Sequence, residues 1–120
     1  MNTKFFVTLA GVALSAIGTL AFAHAHIESA SPAADSTVVS PKSIVLHFTM
    51  KIAPQLSGLK LTGSGGNAVK VKPVVVDSAG LTMSADIPQP LAPGVYEIAW
   101  FAVTPGDGHR STGELTFTVK

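Results

Sequence analysis

Apolar and polar residues alternate in short runs along most of this chain. Ile44, Leu46 and Phe48 share one face of the stretch Ser43 to Phe48, and Ser43, Val45 and His47 share the other. A period of two is the repeat of an extended strand with one face buried. The same alternation marks Gly58 to Thr62, Val69 to Lys72, Gly80 to Ala85 and the terminal run through Leu115, Phe117 and Val119. The longest run is Gly94 to Val103. It puts Tyr96, Ile98 and Trp100 on one side and Val95, Glu97 and Phe101 on the other. An early strand around Ile27 to Ser31 brings the total to about seven. Gly, Pro, Asn and Asp separate the runs, as in Gly63-Ser64-Gly65-Gly66-Asn67. Short strands at regular spacing, with turn residues between them, predict an all-β antiparallel sandwich of immunoglobulin-like, Greek-key type. No segment after position 23 sustains a helical period. Trp100 shares its face with Tyr96 and Ile98, which marks it as core rather than as a stacking platform.

The first 23 residues break this pattern. Lys4 is followed by an uncharged apolar run from Phe5 to Leu20, and Ala21-Phe22-Ala23 supplies small residues around a cleavage point. This is the layout of a secretory signal peptide, 1–23, ahead of a single domain, 24–120. The rival reading, a retained anchor, is disfavoured because the run is short for a span and no stop-transfer charges follow. Export places the domain in the periplasm. The chain has no cysteine, so disulfides, thiolate metal sites and a Cys nucleophile are excluded. Lys4 is the only charge in the leader. The remaining basic side chains equal the seven acidic ones. That balance argues against nucleic acid and against a polybasic membrane role.

Cleavage after Ala23 would make His24 the first residue. A free α-amine and the Nδ1 of the same histidine close one chelate ring on a metal. A second imidazole opposite completes a planar nitrogen set, which suits Cu(II) better than tetrahedral Zn(II). The loop Thr104-Pro105-Gly106-Asp107-Gly108-His109-Arg110 offers that second imidazole. Asp107 and His109 are two apart and so project to one side of an extended segment. The glycines let the backbone approach a partner. His26 alternates onto the same side as His24 and is read as lying near the site. His47 alternates outward from the core triplet and is read as a surface residue. Met50 and Met83 are isolated, and two separated thioethers fill packing gaps more readily than they bind Cu(I).

Several motifs run in order across the chain after the leader: His24-Ala25-His26, Ser31-Pro32-Ala33, Ile44-Val45-Leu46-His47-Phe48, Ser57-Gly58, Leu91-Ala92-Pro93-Gly94-Val95-Tyr96, Trp100, Asp107-Gly108-His109, and Thr112-Gly113 before Phe117. In these residues the sequence resembles the CopC family of periplasmic copper-resistance proteins. The spacing from His24 to Pro32 favours the cut after Ala23 over one after Ala25. The resemblance implies one Cu(II) per chain, held by the amine and imidazole of His24 with Asp107 and His109. It implies a carrier or sequestering role in copper resistance rather than catalysis, and no cofactor other than the metal. It also implies a CopD-like inner-membrane protein as a partner. Two departures stand out. Met50 occupies the position where some members carry an acidic residue near the copper. Thr62 to Asn67 has no methionine where other members carry a Met- and His-rich Cu(I) loop. The resemblance therefore implies a member with a single Cu(II) site, with His26 and Met50 as additional or supporting residues.

Two other functions are compatible with parts of this picture. A histidine-brace copper monooxygenase shares the N-terminal histidine. The scarce aromatics alternate into the core, however, and a carboxylate beside the metal would occupy a position that oxygen chemistry needs open. A metal-free structural sandwich is allowed by the fold. It gives no account of His24 together with Asp107 and His109.

Overall fold

The computed structural model describes residues 24–120. The expected signal peptide lies outside the described residues. Nine strands form two sheets packed face to face: β1 (Ile27–Ser31), β2 (Thr37–Val38), β3 (Ser43–Phe48), β4 (Gly58–Thr62), β5 (Ala68–Val69), β6 (Val75–Val76), β7 (Thr82–Asp86), β8 (Gly94–Val103) and β9 (Arg110–Val119). One sheet has the order β1-β3-β7-β6 and the other β2-β9-β8-β4-β5. The described residues contain one 3-10 turn, Pro54–Leu56, and no α-helix. All pairings are antiparallel except β2 with β9.

The core follows the predicted alternation. Ile44, Leu46 and Phe48 of β3 are buried and face Tyr96, Ile98, Trp100 and Ala102 of β8 across the sandwich. The rings of Phe48 and Trp100 meet edge to face, with centroids 5.3 Å apart. Such a pair adds about 0.5–1.5 kcal/mol beyond the burial of the two rings. Trp100 is 7% exposed, which places it in the core. Its indole needs the empty side of Gly113, its cross-strand neighbour in β9. A Cβ there would come within 2.5 Å of the ring.

Three strand boundaries differ from the sequence reading, and two short strands are additional to it. β5 is two residues long and ends at Val69. From there the chain leaves the ladder toward Pro73, which has no N–H to donate to a ladder. β9 begins at Arg110, five residues before Leu115. Its first half alternates small polar residues, Ser111 and Gly113, on the inner face, so hydrophobicity does not reveal it. β2 and β6 are two-residue edge strands too short to show a period. β7 is shifted to Thr82–Asp86 because Asp77 to Gly80 forms a turn.

Candidate metal centre

One end of the sandwich gathers groups from both ends of the described chain. β8 and β9 pair through Val103↔Arg110, and the Thr104 N–H donates to the His109 carbonyl at 2.9 Å, one step beyond. The connection Pro105-Gly106-Asp107-Gly108 closes the hairpin. Gly106 and Gly108 take φ of 98° and 69°, a region that favours glycine. The Asp107 carboxylate ties this loop down. Its Oδ1 accepts the His109 N–H at 3.1 Å and the Thr104 hydroxyl at 2.8 Å. The His109 amide first, and then the Thr104 hydroxyl, hold the Asp107 carboxyl below the usual carboxylate range.

His109 and Ser111 are two apart, so they leave β9 on the same face. His24 arrives there from the other sheet. The His26 N–H donates to the Thr49 hydroxyl at 3.1 Å, and the Thr49 N–H donates to the His26 carbonyl at 2.9 Å. This carries the β1–β3 pairing back past Ile27. Ala25 is fully buried in the core. The anchored segment lets His24 cross from the four-stranded sheet to the five-stranded one. Its ring meets that of His109 edge-on, with centroids 4.2 Å apart and planes at 73°. Its Nδ1 lies 3.3 Å from the Ser111 hydroxyl, a contact that joins residues 87 positions apart.

The two predicted imidazoles are thus brought together, and Asp107 is only two residues from one of them. Its known hydrogen bonds fold Oδ1 into its own loop. Among the described residues, no three His, Asp or Glu side chains group closely enough to hold a metal ion. A metal between two opposed imidazoles sits about 2 Å from each nitrogen, which spreads the ring centroids well beyond their present 4.2 Å. Binding would therefore part the rings and exchange the Ser111 contact on Nδ1 for the metal.

The other sequence candidates divide. His26 is exposed beside Thr49, next to the pair in sequence. Met50 follows Thr49, on a segment that returns to the end of β8 through the Ala53 N–H bond to the Val103 carbonyl, at 2.7 Å. Its side chain packs on the core at this same end. Met83 is fully buried opposite Leu46. His47 lies on the outer face of the four-stranded sheet, with Nδ1 at 3.1 Å from the Thr82 hydroxyl.

Sequence reading gave Thr104, Ser111 and Ser57 no role at the site. These are the buried polar residues of the described chain, and all lie at this end. Ser57 accepts the Val103 N–H at 3.0 Å. A buried hydroxyl next to an Asp-x-His loop is a usable signal, but burial is not written in the local pattern. Arg110, between His109 and Ser111, faces outward, its guanidinium 4.7 Å from the Phe101 ring centroid. A depression of about 430 Å³ lined by Pro41, Lys42, Ile87 and Pro88 lies at the opposite end of β3 and has no imidazole or carboxylate in its wall. A single metal ion needs convergent donors rather than a cleft, so the imidazole pair is the stronger candidate.

Comparison with known proteins bears on this end of the molecule. The model of the CopC domain family matches residues 27–120. Copper resistance protein C of Pseudomonas syringae pv. tomato is 37% identical over 128 residues, covering all of this chain and 98% of that protein. Copper resistance protein C of Escherichia coli is 38% identical over 117 residues, covering 92% of this chain and 88% of that one. The crystal structure of PcoC, a methionine-rich copper resistance protein from Escherichia coli, superposes with a TM-score of 0.75 at 37% identity. It covers 82% of this chain and 100% of that one.

Proposed function

This chain belongs to the CopC domain family, and from that premise we propose that it is a periplasmic copper-resistance protein that binds one Cu(II) ion as a carrier or sequestering protein. Membership and the names of the relatives support copper as the cargo. The observation that carries the site is the meeting of the His24 and His109 rings, 4.2 Å apart, from segments that lead into strands of different sheets. Removal of residues 1–23 would free the His24 amine. The amine and Nδ1 would then form one chelate ring, and the His109 imidazole would lie opposite. Asp107 would supply an oxygen and a negative charge. Such a set gives Cu(II) a tetragonal nitrogen plane with one hard oxygen. The two methionines of the domain pack into or onto the core, which supports Cu(II) over Cu(I) as the bound state. A CopD-like inner-membrane protein is the proposed partner for copper transfer.

The test is a Cu(II) titration of protein that begins at His24 against protein extended at that residue by a tag. The first should bind one equivalent tightly. The second, its amine locked in a peptide bond, should bind at least about 100-fold more weakly. Equal affinities would overturn the chelate. Turnover of a polysaccharide by the copper-loaded protein with a reductant would overturn the carrier role.

A further inference from the structure

We propose that Thr104 is a positioning residue for the copper site, acting through Asp107 and His109. The inference rests on the copper reading above and adds a residue to it. Thr104 is only 4% exposed, and a buried hydroxyl is expected to have a partner. Its partner is the Asp107 carboxylate, at 2.8 Å, and its oxygen also lies 3.3 Å from the His109 carbonyl. Its own N–H donates to that same carbonyl at 2.9 Å. Thr104 therefore grips both residues of the Asp-x-His motif.

Two consequences follow for a metal. First, the Thr104 hydroxyl and the His109 N–H both land on Oδ1. Oδ2 is then the carboxylate oxygen left for copper, so Asp107 would bind through one oxygen rather than two. Second, the loop has little stiffness of its own, because Gly106 and Gly108 lower the cost of rearrangement. The hydrogen bonds centred on Thr104 take the place of that stiffness and set the direction in which the His109 ring leaves the hairpin. Groups that orient a metal ligand typically change affinity by about 10–100-fold when lost.

Thr104→Val replaces the hydroxyl with a methyl of similar size. In protein beginning at His24, it should weaken Cu(II) binding about tenfold and change the electron paramagnetic resonance spectrum, because the carboxylate, left with only the His109 N–H on Oδ1, can turn both oxygens to the metal more readily. The His109 amide should lose protection from hydrogen exchange in metal-free protein. Thr104→Ser, which keeps the hydroxyl, should restore affinity, spectrum and protection. Thr104→Ala carries the same expectation as the valine variant and serves if valine does not fold. Parent affinity and an unchanged spectrum in a folded valine or alanine variant would overturn the positioning role. Failure of the unsubstituted protein to bind Cu(II) would instead overturn the copper reading, and this role with it.

Discussion

Two aspartates close turns in this molecule, and each has a histidine beside it. Asp77 Oδ1 accepts the N–H groups of Leu81 and Thr82 at 2.9 and 3.0 Å, and Gly80 turns the chain with φ of 74°. Asp107 Oδ1 accepts the His109 N–H and the Thr104 hydroxyl, and Gly108 turns the chain with φ of 69°. The Thr82 amide chiefly holds the Asp77 carboxyl below its ordinary range, with His47 a lesser contributor, and the His109 amide does the same for Asp107. Locally the two turns are near equivalents. They differ in what lies beyond the turn. His47 stands on an exposed sheet face, where its Nδ1 meets a threonine hydroxyl. His109 stands at the end of the sandwich, where a second imidazole arrives from another sheet. An aspartate-braced turn with a histidine is thus common chemistry, and the remote partner makes one of the two a candidate centre.

The sharpest way to break this comparison is to remove each histidine in turn. His109→Ala should lower Cu(II) affinity by at least about 100-fold, because an equatorial nitrogen is a stronger donor than the water that replaces it. Asp107→Asn should cost less, since the amide oxygen or water can stand in for the carboxylate. Competition titration against a Cu(II) chelator ranks the three proteins. If Asp107→Asn proved worse than His109→Ala, the carboxylate and not the ring would anchor the metal.

A smaller effect separates the aspartates by what they stabilise. Asp77→Ala should lower the melting temperature at neutral pH and leave copper affinity unchanged. The folded-state carboxyl titrates below its unfolded value, so its contribution is present above about pH 4 and is lost as pH falls through the folded pKa. The gap in melting temperature between parent and variant should therefore be full at pH 7 and shrink progressively as pH is lowered below about 4. A gap that did not shrink at all with falling pH would mean that packing, not the carboxylate hydrogen bonds, holds this turn.

The smallest expected effect belongs to His47→Ala. An exposed residue on an outer sheet face should change stability by no more than about 0.5 kcal/mol. Copper binding should match the parent. Loss of binding here, with binding retained in His109→Ala, would move the centre to the Asp77 turn.

Much of the architecture was legible in the order of residue types. Period-two alternation is a consequence of strand geometry, so Ile44, Leu46, Phe48, Tyr96, Ile98 and Trp100 could be assigned to the core without knowing what they face. The outward reading of His47 follows from the same rule and agrees with its exposure. Gly108 beside His109 marked a tight turn with chemistry in it. The start of β9 was not legible, because Ser111 and Gly113 are small for reasons that lie elsewhere. Gly113 leaves room for the Trp100 indole, and Ser111 meets His24.

Local order therefore accounts for which stretches are strands, which face is buried, and which residue types can bind a metal. It cannot account for which of those residues meet. His24 and Ser111 are 87 positions apart; Ser111 lies in β9 of one sheet and His24 just ahead of β1, which belongs to the other. They come together because β1 pairs with β3 in one layer while β9 pairs with β8 in the other, and Ala25 is pulled into the core between the layers. The hydroxyls of Thr104 and Ser111 gain their roles in the same way. A threonine or serine is ambiguous in a sequence, and burial beside a partner removes the ambiguity. Alternation is set by backbone geometry within a few residues, whereas convergence depends on long-range strand pairing, whose register no short window of sequence contains.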